Sequence, residues 1–532
     1  MARYQRDPDF AYPAITRPHQ PRPFRPQHYT VYRAMEPIVV DGQLDEEAWA
    51  QAPWTADFGH IVSATAYARP HLRTRARLLW DDYNLYAAVE LEEPHLVAHV
   101  VDKDEEIYDD NDIELFIDVD GDAQNYIELE FNALGTIWDM LLPKEYNRGG
   151  LPWSHPRVPQ SPPWNLEGMR VAVRAEGSFN YPFDTDTGWT IELSIPWTSL
   201  AATDRSGTPL NNPGRVLRAN FSRVQYPWSR TTWPITDWKN RGGPCWDWTW
   251  SPVLVYNMHA CETWGRLVLS DRTPAQAPDA DLEGIFDFVA PPAEQTVNPG
   301  EMVQIEGGSY PIGPDPSDPQ NSPPGSVEVP PFCIDRYPVT NGQYADFLNA
   351  VGDQRYYHED MADPDLAGIA RTAAGAFVAV PGKEQYPVVL VDQEGARAYA
   401  QWAGKRLPSE YEWEIAARRA TGRTYPWGKG APHDEHANFD FRVGHTTSVG
   451  AYPQGRTPEG VEDLAGNVWE LVEGHWAAYP WSNITAEPHT RGPLMRGGSW
   501  ATPPDNLKNG YRDAWKGASP TVGFRCAADG PG

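Results

Sequence analysis

Between Tyr32 and about Asp271 the chain passes through short runs in which apolar and polar residues alternate: RTRARLLWDD, YNLYAAVELEE, NDIELFIDVD, NYIELEFNAL, GWTIELSIPW and VLRANFSRVQY. Each is bounded by Asp, Asn, Gly or Pro, and no helical periodicity intervenes. A period of two sends successive side chains to opposite faces of a strand, and short strands of this kind bury their apolar face against a second sheet. The expected fold of residues 28–271 is therefore an antiparallel β-sandwich. Composition agrees, because 53 prolines and 44 glycines in 532 residues disfavour long helical bundles.

The rest of the chain reads differently. Residues 1–27 form a Pro/Arg-rich arm, and 272–299 a Pro/Ala/Asp-rich linker. Beyond it, TNGQYADFLNAVG and VDQEGARAYAQWAGKRLPSEYEWEIAARRATG carry 3.6-residue periodicity, and Ser409-x-x-Glu412 is a capping-box start. From Tyr425 onward loops and turns dominate. Residues 300–532 thus read as a mixed α+β domain.

A net charge of −29 repels a polyanion, so nucleic acid is excluded as a partner. No stretch approaches 18 apolar residues, so membrane insertion is not expected. The opening stretch lacks the continuous apolar core of a signal peptide. A cytoplasmic location is the default, with an extracellular or surface-associated one as the alternative. Four cysteines without a CxxC are too few for a disulfide scaffold, and a zinc site is not expected. Cys245 and Cys261 flank a hairpin and either meet across it or stay as buried thiols.

NYIELEFNALGTIWDM is the most informative strand. Alternation sets Ile127, Leu129 and Phe131 toward the core and Tyr126, Glu128, Glu130 and Asn132 on the other face. A row of hydrogen-bonding groups beside an aromatic ring suits a sugar, which offers hydroxyls at its edge and an apolar C–H face. The pattern alone also allows an ordinary solvent-exposed strand. Asp118, Asp120 and Asp122 around Gly121 resemble the start of a calcium loop, but Leu129 stands where the bidentate Glu belongs, so a hairpin turn is expected. Tyr226 to Trp250 carries six tryptophans, too many for the core of one strand.

VDGQLDEEAW, TRARLLWDDYNLYAAVELEEP, DNDIELFIDVDGDAQNYIELEFNALGTIWD, GWTIELSIPW, ANFSRVQ and WTWSPVLVYNMHACETWGRLVLSD together resemble the carbohydrate-binding module family 9-like domains. The resemblance implies a sandwich that binds sugar between two tryptophans, with calcium as a structural ion. Trp138, Trp228 and Trp238 are candidate platforms chosen from their surroundings. Such modules often accompany polysaccharide-degrading enzymes, but no pair of carboxylic acids is nominated for glycoside hydrolysis.

In the second half MVQIEGGSYPIG, FCIDRYPVTNGQYADFL, YPWG, ANFD, EDLAGNVWELV, RGGSW and VGFRCAAD occur in an order that resembles the formylglycine-generating enzyme / sulfatase-modifying factor family. The resemblance implies a C-type lectin-like fold. It also implies calcium held by the Asp463 side chain and the carbonyls of Leu464, Gly466 and Val468, with a second calcium site beginning at Asn438 and Phe439. The family's enzymes hold copper through two cysteine thiolates after the GGS motif; here Thr502 stands at the first, so copper and formylglycine generation are not expected. Cys333 and Cys526 lie in the first and last strands of this fold, where a disulfide is plausible in an oxidising compartment.

The function these readings point to is a non-catalytic carbohydrate or surface-recognition protein with two reading modules. The second surface would be Trp500, Asn506, Tyr511, Arg512 and Trp515, facing a sugar or another protein. The alternatives are a formylglycine-generating-type oxidase or other tailoring enzyme with altered chemistry, or a retroelement-diversified ligand-binding receptor.

Overall fold

The computed structural model describes residues 21–530 except 63–69, 149, 159, 182, 227–244, 277–288, 316–321 and 484–491. The described residues divide into two compact units: 26–145 with 150–276, and 146–148 with 289–530, the second also taking in 21–25.

The first unit is built on twelve strands: β1 (His28–Arg33), β2 (Gly59–His60), β3 (Thr74–Trp80), β4 (Asn84–Glu92), β5 (Asp112–Asp118), β6 (Tyr126–Asn132), β7 (Ile137–Leu142), β8 (Arg170–Glu176), β9 (Gly188–Pro196), β10 (Val216–Gln225), β11 (Trp246–Thr249) and β12 (Gly265–Leu269). They run β7-β6-β5-β10-β12-β1-β3-β4-β9-β8, with β11 and β2 attached beside β10. The order folds over at β1, whose first four residues pair with β12 and whose last two pair with β3. Both pairings are parallel, a departure from the expected all-antiparallel sandwich, because one strand serves two sheets at their shared corner. Side chains from both sheets then enter one core, among them Leu78, Ala87, Val89 and Leu193 from one and Leu115, Ile117, Leu129 and Phe221 from the other. Each such buried Leu, Ile, Val or Phe contributes about 1.5–3 kcal/mol of transfer free energy.

Of two short helices, α2 (Trp197–Leu200) adds Trp197 and Leu200 to this core, while α1 (Glu47–Gln51) buries Trp49 in a separate cluster with Tyr32, Leu79 and Tyr86. Trp49 Nε1 donates to Glu192 Oε1 at 2.8 Å, while the Asp41 and Gly42 amides share Oε2 at 3.0 Å. That explains the VDGQLDEEAW run: its Gly42 turns at φ 82, and its Trp49 anchors the segment onto β9.

The second unit holds a three-stranded sheet of β13 (Met302–Ile305), β16 (Phe332–Asp335) and β23 (Ala527–Asp529), and hairpins of β14 (Gly308–Ile312) with β15 (Gly325–Val329) and β17 (Ile369–Arg371) with β18 (Phe377–Ala379). A four-stranded sheet combines β19 (Trp469–His475), β20 (Pro493–Arg496), β21 (Arg512–Ala514) and β22 (Val522–Phe524). Three helices pack around these: α3 (Asn341–Val351), α4 (Gln393–Trp402) and α5 (Glu410–Arg418). Thr340 and Gln343 close a capping box on α3, and Ser409 and Glu412 close the expected one on α5. The second periodic run is two helices and not one, because Gly404 turns at φ 70 between them. Two buried ion pairs fix the frame: Arg525 to Glu470 and Arg496 to Glu414, both at 2.6 Å. Among the described residues no helix is long and apolar enough to cross a membrane.

A Cβ on Gly265 would lie 2.4 Å from the Trp250 ring and 2.9 Å from the Gln27 carbonyl. Gly265→Ala should therefore destabilise the sandwich by about 1–3 kcal/mol, read as a lower thermal unfolding midpoint. In the second unit, His445 is buried and its pKa is pushed down to about 4, chiefly by desolvation. The unfolded chain takes up this proton near pH 6.5 and the folded one does not, so stability is lost as pH falls from about 6.5 toward 4. His445→Asn should make this fall shallower in thermal melts; an unchanged slope would assign the acid sensitivity to other groups.

Candidate functional site

The pairing of β5, β6, β7 and β10 dictates what the outer face of the first sheet displays. Glu114 lies opposite Glu130, Glu130 opposite Trp138, and Glu114 opposite Ser222. Asp112 and Glu128 flank this row on the same face, and Asp247 joins it from β11. The inner residues Ile113, Leu115, Ile127, Leu129 and Phe131 are core, so the period of two leaves the acids no other side.

These carboxyls are not solvated. Asp112, Glu114, Glu128 and Glu130 are all buried. Asp112 Oδ1 accepts from the Val224 amide at 3.1 Å, and Glu130 Oε2 from the Tyr108 amide at 3.0 Å. Among the described residues Asp112 Oδ2 and Glu128 Oε2 have no hydrogen-bond partner. Desolvation, followed by the repulsion of neighbouring acids, pushes Asp112, Glu128 and Glu130 well above the carboxylate range and Glu114 up to about 8. Desolvation alone pushes Asp247 up to about 7. Beside the acids Tyr108 stacks on Trp138 at 6.1 Å, and the Tyr226 hydroxyl donates to the Tyr108 carbonyl at 2.9 Å. The arrangement is a desolvated row of carboxyls next to the buried Trp138 and half-buried Tyr108 rings, able to exchange hydrogen bonds with hydroxyls.

Tyr126, Glu128, Glu130 and Asn132 share the face expected of them, but the face is covered. Asn132 is structural: its Oδ1 accepts from the Leu134 and Thr136 amides, and its Nδ2 donates to the Val100 carbonyl. Tyr126 is tied to His259 Nδ1 at 2.8 Å. Trp138 is 1% exposed and donates to the Ser154 carbonyl, so it forms a wall and not an open platform. Trp228 and Trp238 lie outside the described residues. Asp112, Glu114, Tyr108 and Asp247 were missed; NDIELFID carried the signal, since β5 alternates in step with β6. The Asp118 turn is a hairpin: Asp118 accepts from the Gly121 and Ala123 amides at 2.9 Å, and Arg218 offsets its charge.

The expected second surface is internal. Trp500 donates to the Pro520 carbonyl and packs against Phe24 and Phe441. Asn506 donates to the Tyr511 hydroxyl at 3.1 Å, and both are buried. Arg512 is fully buried, donating to Glu410, Ser322 and the Ala477 carbonyl, and Trp515 packs against the helical core. Apart from Trp515, which is half-buried, these side chains are buried and bond to backbone, acids and hydroxyls within the fold.

At the expected calcium loop, Asp463 turns at φ 55 and its Oδ2 accepts from the Gly450 amide at 2.7 Å, while the Gly466 carbonyl accepts from the Val468 amide. Burial pushes Asp463 up to about 7. Leu464, the next residue, is buried, as is Phe439. Asn438 Nδ2 donates to the His445 carbonyl, and Asn438 Oδ1 is buried without a partner. Thr502, at the copper-thiolate position, binds the Ser499 amide through Oγ1 at 2.8 Å.

All four cysteines are free thiols. Cys333 pairs in register with Ala528, while Cys526 stands beside Asp335, so the Cys333–Cys526 bridge is not formed. Cys245 lies against Tyr256 and Cys261 against the His259 carbonyl, which leaves that pair unbridged too. Burial pushes Cys245 up to about 12. Thiol titration of the unreduced, denatured chain should count four thiols, and the native protein at pH 8 should react far more slowly. A count of two would restore a bridge.

The fold and site define a two-module protein, a carbohydrate-binding-type β-sandwich followed by a C-type lectin-like domain. Residues 40–139 match the carbohydrate family 9 binding domain-like family, and residues 288–530 the sulfatase-modifying factor enzyme 1-like domain. A formylglycine-generating enzyme of Mycobacterium tuberculosis is 31% identical over 43% of this chain and 98% of its own length. The serine/threonine-protein kinase pkn1 of Chlamydia pneumoniae is 37% identical over 43% of this chain, which spans only 38% of that kinase. A carbohydrate-binding module family 9 of Caldicellulosiruptor kristjanssonii, solved with cellotriose, is 14% identical over 48% of this chain and 100% of that one, with a TM-score of 0.28. Through its second half the chain belongs to the sulfatase-modifying factor family.

Proposed function

We propose that the chain is a non-catalytic carbohydrate-binding protein that holds its sugar on the outer face of β5 and β6. The observation that carries this reading is the unpartnered, buried acceptor Glu128 Oε2, set beside Glu114, Glu130 and the stacked Tyr108 and Trp138 within the carbohydrate-binding-type module. Buried acceptors without partners cost free energy unless a ligand donates to them, and sugar hydroxyls are donors of the right kind. The half-buried Tyr108 ring, backed by Trp138, suits the C–H face of a pyranose. The second domain is proposed as a structural partner module, with calcium at Asp463, Leu464, Gly466 and Val468 and at Asn438 and Phe439; the partnerless Asn438 oxygen supports the latter.

A glycan array probed with the full chain, followed by calorimetry on the best oligosaccharide, tests the reading. Glu128→Gln and Tyr108→Ala should each weaken binding at least tenfold while leaving the unfolding midpoint within a few degrees. Silence across the array, or full affinity in both variants, would remove the sugar from this face. An oxidase reading, favoured by the formylglycine-generating relative, would instead show turnover with copper.

A further inference from the structure

On the side of β4, β9 and β8 turned away from the core, strand register builds a second recess. Tyr86 lies opposite Ser194, and Ser194 opposite Arg170, so the three side chains form one row across three strands. The alternate residues Leu85, Leu193 and Ile195 are core, and the period of two sends the row outward. A cavity of about 620 Å3 opens at this row, bounded also by Met35 and by the turn residues Asp82, Tyr83 and Asn84. Its size is that of a small-molecule site.

Two polar groups of the row are unused. Ser194 is 5% exposed, yet its hydroxyl makes no hydrogen bond among the described residues. Arg170 has neither a hydrogen bond nor an ion pair there. The charges around them are mostly occupied. Asp81 Oδ1 accepts from the Tyr83 and Asn84 amides at 2.7 Å, and its Oδ2 from the Tyr86 hydroxyl at 2.8 Å. Asp82 pairs with Arg33 at 2.5 Å, and the Arg33 guanidinium lies 4.8 Å from the Trp80 ring. Glu36 is the other charge in the lining without a partner, but only Arg170 stands in register with the buried hydroxyl. Its field reaches the floor: desolvation and the bond to Asp81 push the Tyr86 hydroxyl up to about 12, against the pull of Arg170.

The rim supplies an observation of a different kind. Tyr83 is 76% exposed and Met35 72%, the two most exposed large hydrophobic side chains among the described residues, and both line this one cavity. An apolar body entering the cavity would cover them.

We infer that this cavity binds a ring-bearing carboxylate of about the size of a uronic acid. A carboxylate takes parallel N–H donors from a guanidinium, and a hydroxyl adds a further donor. Arg170 and Ser194 offer both from adjacent strands, on rigid backbone and not on a loop. The ring then lies against Tyr83, while Asp82 and Asn84 remain as acceptors for ring hydroxyls. A phosphate or sulfate would call for more donors than one guanidinium and one hydroxyl. The inference is independent of the sugar reading given above, which concerns other strands and other residues.

The test titrates the full chain calorimetrically with methyl glucuronide, with its neutral counterpart methyl glucoside, and with cyclohexanecarboxylate. The glucuronide should bind one to one and at least tenfold more tightly than the glucoside. Arg170→Gln should weaken it at least tenfold and Ser194→Ala severalfold, with unfolding midpoints within a few degrees of the native chain. Should Ser194→Ala fail to fold, Arg170→Gln and Tyr83→Ala carry the test, because both side chains are exposed; Tyr83→Ala should weaken binding about threefold. Cyclohexanecarboxylate binding more tightly than the glucuronide, and lost in Arg170→Gln, would keep the site and assign it to a non-sugar acid. Equal affinity for glucuronide and glucoside, no binding of either acid, or an affinity unmoved in Arg170→Gln would overturn the inference. Loss in Glu128→Gln with Arg170→Gln unaffected would also overturn it, placing the acid on β5 and β6. Silence on the glycan array, with glucuronide still bound through Arg170, would remove the sugar from β5 and β6 and leave this site standing.

Discussion

The pleat of β5 and β6 is the constraint from which the site follows. Ile127, Leu129 and Phe131 must enter the core, and Ile113, Leu115 and Ile117 do the same from the neighbouring strand. With the register set by those six side chains, Glu128 and Glu130 are obliged to stand beside Asp112 and Glu114 on the other face. A shift of one residue would drive four carboxyls into the hydrocarbon interior. The sandwich core and the acidic face are two sides of one decision, and mutations that loosen the first will blur the second.

Much of this was legible in the chain itself. Alternation located the long strands and divided Tyr126–Asn132 correctly between its faces, and Ser409 with Glu412 marked a helix start. What could not be read was the burial of the outward face, because its cover comes from distant parts of the chain: Tyr108 before β5, Tyr226 after β10 and His259 before β12. The same holds for the surface expected around Trp500 and Arg512. Arg512 is occupied by Glu410, Ser322 and Ala477, partners that no local pattern announces. The parallel pairing of β1 was hidden for an equal reason, since only the closed sandwich gives that strand two neighbours.

Charge compensation separates the two halves. In the second unit two deeply buried acids each meet a guanidinium: Glu470 has Arg525 and the Trp413 indole, and Glu414 has Arg496. Such pairs fix geometry and leave little for a ligand to satisfy. The outer face of the sandwich has the opposite character, acceptors in excess and donors in deficit. A protein interior tolerates that imbalance where something from solution is to supply the difference.

The corner strand carries a further consequence. His28, near the start of the described chain, is held against Arg266, and Tyr32 against Leu79. During synthesis, β1 and β3 can meet early, but β1 must wait for β12 to emerge before the first sheet can close. Until then β10 and β1 present open edges around the ribosome. Contacts so far apart in sequence make for slow closure and a long-lived, aggregation-exposed nascent state. Production of this protein will therefore depend on translation rate and chaperone supply more than its final stability would suggest.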